Sequence, residues 1–215
     1  MKRKPFPWIK PPGPIAPGLK IGLLGGSFNP AHAGHIHISD IALKRLGLDF
    51  VWWLVAPQNP LKPAQGMAPL HRRVEFAEEK TYGHPRIEVM DIERALGTRY
   101  TIDTLIKLKR RFPGVHFVWL MGTDNLEQFR RWKRWQDIVQ AVPIAVVTRP
   151  GTVMAMLHAK PAIRFCGGRT CNYRGLARAK PPAVAMVDGP RNPLSATAIR
   201  EACARSEIFV QVLPA

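Results

Sequence analysis

A short apolar run at residues 20–24 leads into the loop GGSFNPAHAGH at residues 25–35. The apolar run predicts a buried strand that ends in a tight turn at the paired glycines. Beyond the loop, apolar residues recur at helical spacing as far as Gly47, which predicts a helix that ends at this glycine. A strand, a glycine-rich loop and a helix in this order are typical of parallel α/β sheets, which bind ligands at the carboxyl ends of their strands.

The rest of the chain repeats this alternation. Apolar runs predict further strands at 50–55, 86–90, 115–122 and 144–149, and helical patterns cover 70–82 and 101–112. Strands that alternate with helices predict a parallel sheet with right-handed crossovers. The predicted fold class is therefore α/β, a Rossmann-like doubly wound parallel sheet in a single domain. Residues 151–182 show no clear periodicity.

Length and composition are compatible with this fold. A chain of 215 residues that is 46% hydrophobic can form one domain with a full core. Residues 1–19 are basic and rich in proline, which predicts a flexible arm, so that the folded domain spans 20–215. No apolar run reaches membrane-spanning length, and three cysteines without an export signal suggest reduced thiols. We therefore expect a cytoplasmic protein that does not interact with membranes.

The charge of the chain leaves two classes of partner open. Thirty-two basic residues against fifteen acidic ones give a net charge of +17. Such an excess suits nucleic acid, and it also suits small polyanionic substrates, which a basic cleft attracts. Composition alone does not separate these alternatives.

The loop histidines have three interpretations. A metal site formed by His32, His35 and His37 would normally include Cys, Asp or Glu ligands, and none lies nearby. They could also be ordinary loop histidines. We favour phosphate binding by His32 and His35, because Gly34 permits close approach and His35 falls in the first helical turn beside unpaired N–H groups. His37 points elsewhere on the helix and is left out of the site.

Residues 26–35 resemble the G-x-F-x-P-x-H-x-G-H signature of the HxGH nucleotidyltransferase superfamily. From about residue 20 nearly to its end, the chain resembles the bacterial nicotinate-mononucleotide adenylyltransferases. The resemblance implies transfer of AMP from ATP to nicotinate mononucleotide, which forms nicotinate adenine dinucleotide and pyrophosphate in NAD biosynthesis. It also implies that His32 and His35 are catalytic and bind ATP. The other ATP-binding residues implied in this loop are Gly25, Gly26, Ser27 and Phe28.

Two further stretches resemble nucleotide-binding motifs of the family. The sequence PLSATAIREA at 193–202 is similar to the second superfamily signature, S-x-T-x-I-R. The resemblance implies that Ser195, Thr197 and Arg200 bind the ATP phosphates, with Arg200 also catalytic. The Gly-x-Asp formed by Gly122 and Asp124 is implied to bind the ATP ribose, although a carboxylate here could instead cap a helix.

The resemblance also implies a site for the mononucleotide. It assigns Asn59 and Lys62 to this site, Tyr100 and Thr101 to the nicotinate group, and Trp132 to stacking on the pyridine ring. Each assignment has a structural alternative. Residues 57–63 could be a proline-stiffened loop, Thr101 could be an N-cap, and Trp132 and Trp135, in a predicted basic helix, could be core residues or stack on nucleic acid bases.

The expected mechanism is an in-line displacement that needs no protein nucleophile, because the attacking phosphate is already an anion. We expect Mg²⁺ to be bound mainly through ATP, with no metal ligands from the protein. Two alternatives remain. Another HxGH adenylyltransferase or cytidylyltransferase would share both signatures, and a basic nucleic-acid-binding protein, the less favoured alternative, would explain only the charge. The sequence does not reveal the oligomeric state.

Overall fold

The computed structural model describes residues 15–58, 65–148 and 173–189. Within them, six strands form one all-parallel sheet in the order β3-β2-β1-β4-β5-β6. The strands are β1 Lys20–Gly26, β2 Phe50–Val55, β3 Ile87–Met90, β4 His116–Gly122, β5 Ile144–Val147 and β6 Val184–Val187. The helices are α1 Ala33–Arg45, α2 Leu70–Thr81, α3 Ile92–Leu96, α4 Thr101–Arg111, α5 Thr123–Gln128 and α6 Trp135–Ala141. The predicted Rossmann-like fold is confirmed.

Both faces of the sheet are buried, which explains why its strands are apolar almost without interruption. Successive side chains of a strand point to opposite faces, so each strand contributes to two cores. On one face, residues such as Leu23 and Trp119 pack with the helices α3 to α6. On the other face, residues such as Leu24 and Leu120 pack against α1, α2 and the short helical segment at 173–178.

Most element boundaries lie close to the predicted ones. Strand β2 has the predicted bounds, while β1 is two residues longer because Gly25 and Gly26 continue to pair with β2. Gly47 follows the end of α1 with a φ of 61°. Glycine adopts this left-handed conformation at little cost, so Gly47 ends the helix as predicted.

The structure corrects one prediction and adds two elements. The basic helix expected to carry both tryptophans is interrupted: α5 is followed by a 3-10 turn at Phe129–Arg131, and Trp132 is extended. Arg134 then adopts a left-handed conformation with a φ of 53°, which separates Trp132 from α6. Helix α3 and strand β6 were not predicted, because five and four residues are too few for a clear periodic pattern.

The last residues of the predicted N-terminal arm lie against the domain. The Gly18 N–H donates to the Gly114 carbonyl at 2.8 Å, and Ile15 and Leu19 pack on the core. Residues 1–14 lie outside the described residues, so the flexible arm and the domain boundary stay predictions. None of the helices in the described part is both long and apolar enough to span a membrane.

Candidate active site

The loop that carries His32 and His35 lies at the carboxyl end of β1, where the strand order reverses. The strands that follow β1 in the chain lie on one side of it up to β3, whereas β4 lies on its other side. Such a reversal opens a crevice between neighbouring strands, and ligands of doubly wound sheets bind there. Because Leu24 of β1 pairs with Leu120 of β4, the loop at 25–35 and the Gly-x-Asp at 122–124 emerge side by side. The structure thus brings two predicted ATP-binding stretches together.

The two histidines cap helix α1 reciprocally. His32 is the N-cap residue, and its Nδ1 accepts a hydrogen bond from the Gly34 N–H at 3.1 Å. His35 is three positions further on, and its Nδ1 accepts a hydrogen bond from the His32 N–H at 3.2 Å. The ring centroids are 3.9 Å apart. This arrangement is a capping box in which imidazoles replace the usual Ser or Thr and Glu side chains.

The capping box determines which nitrogen of each ring carries the proton. A ring nitrogen that accepts a hydrogen bond must have a free lone pair, so both Nδ1 atoms are unprotonated in this arrangement. The proton of each neutral ring is then on Nε2, which makes Nε2 a hydrogen-bond donor. The same bonds that begin the helix therefore prepare both rings to donate to an anion.

Aromatic packing supports His35 from the other side. Its ring lies 4.6 Å from that of Phe28 and 5.6 Å from that of Trp53, centroid to centroid. Trp53 is fixed in turn, because its Nε1 donates to Ser39 Oγ at 2.8 Å while that hydroxyl donates to the His35 carbonyl at 2.9 Å. Phe28, which the resemblance placed at ATP, is 2% exposed and supports the His35 ring.

The glycines of the loop allow close packing beneath the crevice. A side chain at Gly25 would overlap the Trp119 ring, and one at Gly26 would press on the Phe28 ring. Neither substitution fits without a shift of the neighbouring aromatic ring. Gly25 and Gly26 thus allow the backbone and the neighbouring aromatic rings to pack closely at the point where the resemblance places ATP.

Two buried hydroxyls lie at the ends of β1 and β4. Among the described residues, neither Ser27 Oγ nor Thr123 Oγ1 has a hydrogen-bond partner, and both residues are buried. Nearby, Gly122 is the N-cap of α5 and Asp124 is exposed in its first turn. Buried polar atoms are usually satisfied, so unsatisfied ones at a crevice are consistent with a site for a polar ligand or water.

The predicted nicotinate residues lie on the opposite face of the sheet from α1. Tyr100 and Trp132 both pack against the core beneath α4 and α6. Asp103 follows Thr101 by two residues and lies 3.6 Å from Arg134, which follows Trp132 by two residues. The structure therefore brings the start of α4 and the segment around Trp132 together.

The details of this region refine two of the structural alternatives. Tyr100, not Thr101, is the N-cap of α4, and Thr101 is the first helical residue. The Trp132 ring is half-buried and meets Trp119 and Phe129 edge-on at centroid distances of 5.9 and 5.5 Å. Trp135 packs on Phe129, at 6.0 Å. Trp132 is thus held by steeply tilted ring contacts with Trp119 and Phe129.

Two buried charged residues border these regions, and the sequence analysis missed both. Glu93 is 7% exposed in α3, and burial raises its pKa to about 7 although a hydrogen bond from Thr104 opposes this rise. Arg73 is 1% exposed in α2, where it shares the buried face of the helix with Ala77 and Thr81. The sequence spacing could have revealed Arg73. It precedes Ala77 by four positions and Thr81 by eight, and residues at this spacing share one face of a helix.

Five predicted site residues lie outside the described residues. They are Asn59 and Lys62 of the mononucleotide loop and Ser195, Thr197 and Arg200 of the second signature. Their roles stay predictions. Among the residues that are described, no group of three or more His, Cys, Asp or Glu side chains could hold a metal ion.

Comparison with known proteins agrees with this architecture. The model of the cytidylyltransferase-like family matches residues 23–202, a span that includes both signatures. The fold, the loop at the end of β1 and this match together define the chain as cytidylyltransferase-like.

Curated relatives narrow the class. A protein of Parvibaculum lavamentivorans named probable nicotinate-nucleotide adenylyltransferase is 56% identical over 87% of this chain and 94% of its own length. A protein of the same name from Cereibacter sphaeroides is 53% identical over 85% of this chain and 97% of its own length. The chain belongs to the nicotinate-nucleotide adenylyltransferases, a family of nucleotidyltransferases, as the resemblance implied.

Solved structures support the fold. Nicotinic acid mononucleotide adenylyltransferase of Plasmodium falciparum in complex with NaAD superposes with a TM-score of 0.66 and covers 85% of this chain and 83% of its own. A second structure of that enzyme, in complex with APC, gives a TM-score of 0.63. Both are 16% identical in sequence, so the likeness concerns the arrangement of the elements.

Proposed function

We propose that this protein transfers AMP from ATP to nicotinate mononucleotide and releases nicotinate adenine dinucleotide and pyrophosphate, a step of NAD biosynthesis. The observation that carries the proposal is the reciprocal His32–His35 capping box at the end of β1. It presents two imidazole donors beside a helix N-terminus, and both features favour phosphate. Membership of the adenylyltransferase family supports the choice of substrates.

The proposed reaction is an in-line displacement. A 5′-phosphate oxygen of the mononucleotide forms a bond to the α-phosphorus of ATP, while the bond from this phosphorus to the oxygen that bridges to the β-phosphate breaks. Pyrophosphate leaves with that bonding pair. The chain has to hold the two substrates in line and stabilise charge on the transferring and leaving phosphates. His32, His35 and Arg200 are the residues proposed for the second task.

The remaining predicted residues would select and hold the substrates. In the first turn of α4, the N–H groups of Asp103 and Thr104 donate to the Tyr100 carbonyl. Those of Thr101 and Ile102 have no acceptor within the helix and suit the carboxylate of nicotinate. The half-buried Trp132 would stack on the pyridine ring. Asp124 would accept hydrogen bonds from the ATP ribose, and Gly25, Gly26, Ser27, Gly122, Ser195 and Thr197 would line the rest of the ATP site. Asn59 and Lys62 would contact the mononucleotide.

We propose that Mg²⁺ enters with ATP. Triphosphate oxygens supply the ligands that Mg²⁺ prefers, and the described part of the chain has no group of three or more His, Cys, Asp or Glu side chains that could hold a metal ion. When bound, the ion would neutralise charge on the leaving pyrophosphate. We also propose a cytoplasmic location, where the three cysteines would stay reduced thiols. Nucleic acid stays the less favoured explanation of the charge.

Isotopically labelled ATP tests the transfer directly. With ATP labelled in its α-phosphate, the label should appear in a dinucleotide product, and with ATP labelled in its γ-phosphate it should appear in pyrophosphate. Omission of nicotinate mononucleotide should abolish both. Label from the γ-phosphate in the mononucleotide product would instead indicate a kinase, and tight oligonucleotide binding without turnover would favour a nucleic-acid-binding protein.

A further inference from the structure

The guanidinium of Arg73 lies directly behind the candidate active site. Its helix, α2, follows the mononucleotide loop, and its side chain points inward with only 1% of its surface exposed. An arginine is rarely buried to this extent unless it is paired. What Arg73 contacts therefore explains why an arginine occupies the position.

Four backbone carbonyls accept hydrogen bonds from this one guanidinium. Nη1 donates to Ser27 at 2.7 Å and to Ala56 at 2.8 Å. Nη2 donates to Pro57 at 2.8 Å, and Nε donates to Ala68 at 2.8 Å. The planar group thus bridges the loop after β1, the loop after β2 and the segment that leads into α2.

Asn29 strengthens the same connection. Its Nδ2 donates to the Gly66 carbonyl at 3.0 Å, and its Oδ1 accepts from the Ala68 N–H at 3.2 Å. An aspartate at this position could accept the second bond but could not donate the first. Arg73 and Asn29 therefore fasten residues 66–68 to the loop that carries both histidines.

The charge of Arg73 has no protein counter-ion in the described part of the chain. None of the ion pairs there includes Arg73. Burial lowers the pKa of its guanidinium, which nevertheless stays charged at neutral pH. A buried cation is costly, and an apolar side chain would leave the four carbonyls without a donor. What the guanidinium supplies is a rigid planar fork, which holds the carbonyls of separate segments at fixed distances from one another.

We propose that Arg73 is a positioning residue for the reaction. It fixes the distance between the loop that binds ATP phosphates and the loop that binds the mononucleotide, so that the attacking oxygen and the α-phosphorus are in line. This proposal rests on the proposed function. An error of about 1 Å in such a geometry can cost about 100-fold in rate, even when each substrate still binds.

The test compares Arg73→Lys with Arg72→Lys. Lysine keeps the charge at position 73, but an ammonium group cannot span carbonyls as the fork of a guanidinium does. Arg72 is the matched control, because it lies next in the same helix, is exposed, and its guanidinium pairs with Glu75 and lies over the Phe76 ring of that helix. We expect kcat of R73K to fall by about 100-fold, with KM for ATP changed less than about threefold, and R72K to resemble the wild type.

Hydrogen exchange separates positioning from a general loss of stability. The Ala56 N–H donates to the Gly26 carbonyl at the end of the β1–β2 ladder, where the two loops begin, and its exchange therefore reports on how firmly the starts of the loops are held together. In R73K its exchange should accelerate, while amides of the central strand β4 keep their protection. This measurement needs no substrate, so it still tests how Arg73 holds the loops if the wild type proves inactive and the proposed function fails.

Three results would overturn the proposal. One is a folded R73K with kcat within about threefold of the wild type. A second is uniform acceleration of exchange across the sheet with kcat restored at low temperature, which would indicate a role in stability alone. The third is failure of both R73K and Arg73→Gln to fold, which would make Arg73 a requirement of the fold and not a positioning residue.

Discussion

His32 and His35 serve the helix and the proposed chemistry with different nitrogens. Nδ1 of each ring accepts a backbone hydrogen bond at the start of α1, which leaves Nε2 as the donor. Substitution of either residue therefore has two effects that need to be separated. The effect on the helix is a lost cap, and the effect on the reaction is a lost phosphate donor.

Two substitutions of His35 separate these effects. We expect His35→Ala to keep the fold, to lose about 1 kcal/mol of stability with the cap and to slow turnover by orders of magnitude. His35→Gln should recover the stability, since glutamine serves at this position of a capping box, but not the turnover. Denaturant unfolding and initial rates measure the two effects, with His37→Ala as the control. Full activity in either variant would remove His35 from the mechanism.

Glu93 makes the stability of the protein depend on pH. It lies in a network in which Thr104 Oγ1 approaches Glu93 Oε1 at 3.4 Å and shares a hydrogen bond with Thr98 Oγ1 at 2.8 Å. Burial raises its pKa from 4.5 to about 7, so the folded state binds this proton more tightly than the unfolded chain does. The contribution of Glu93 to the free energy of unfolding therefore falls as the pH rises from about 4.5 to about 7 and is constant above that.

Glu93→Gln should remove this dependence. Relative to the wild type, the variant should gain roughly 2–3 kcal/mol in unfolding free energy between pH 5 and pH 8. Denaturant unfolding at both pH values measures the gain, and Glu79→Gln, an exposed residue of α2, is the control. Parallel curves for the wild type and E93Q would show that Glu93 does not titrate in this range.

The segment between α5 and α6 places Trp132 outside both helices. It leaves the helical path at Trp132 and re-enters it after Arg134, so the two tryptophans have different neighbours. If Trp132 stacks on the pyridine ring, Trp132→Leu should raise KM for nicotinate mononucleotide roughly tenfold and leave KM for ATP unchanged. Trp135→Leu should change neither value. Equal effects of the two variants would assign both side chains to packing.

The same segment shows where sequence reasoning reaches its limit. Strand β2 was predicted with its observed bounds, because a run such as FVWWLV is buried on both faces and has few alternatives. The break at residues 132–134 was not predicted. It depends on tertiary packing of Trp132 and on a left-handed conformation of Arg134 that no local preference favours. Arg73 was missed for a related reason, since its partners are backbone carbonyls from distant segments, and carbonyls carry no sequence signature.

The net charge of +17 belongs to the whole molecule, and we interpret it as attraction of anionic substrates. Added salt screens such attraction over about 10 Å at 0.1 M. We expect kcat/KM for ATP to fall several-fold between about 0.05 and 0.5 M salt, while kcat changes little. Sucrose at matched viscosity is the control for slower diffusion. A salt-independent kcat/KM would show that the charge has another use.

Pyrophosphate release tests the central claim most directly. ATP and Mg²⁺ are supplied in parallel with nicotinate mononucleotide and with nicotinamide mononucleotide, which differ in the group that the start of α4 is proposed to bind. The account predicts release with the acid and little with the amide. Equal release would keep the enzyme but contradict the role of Tyr100 and Thr101, and no release with either would contradict the proposed function itself.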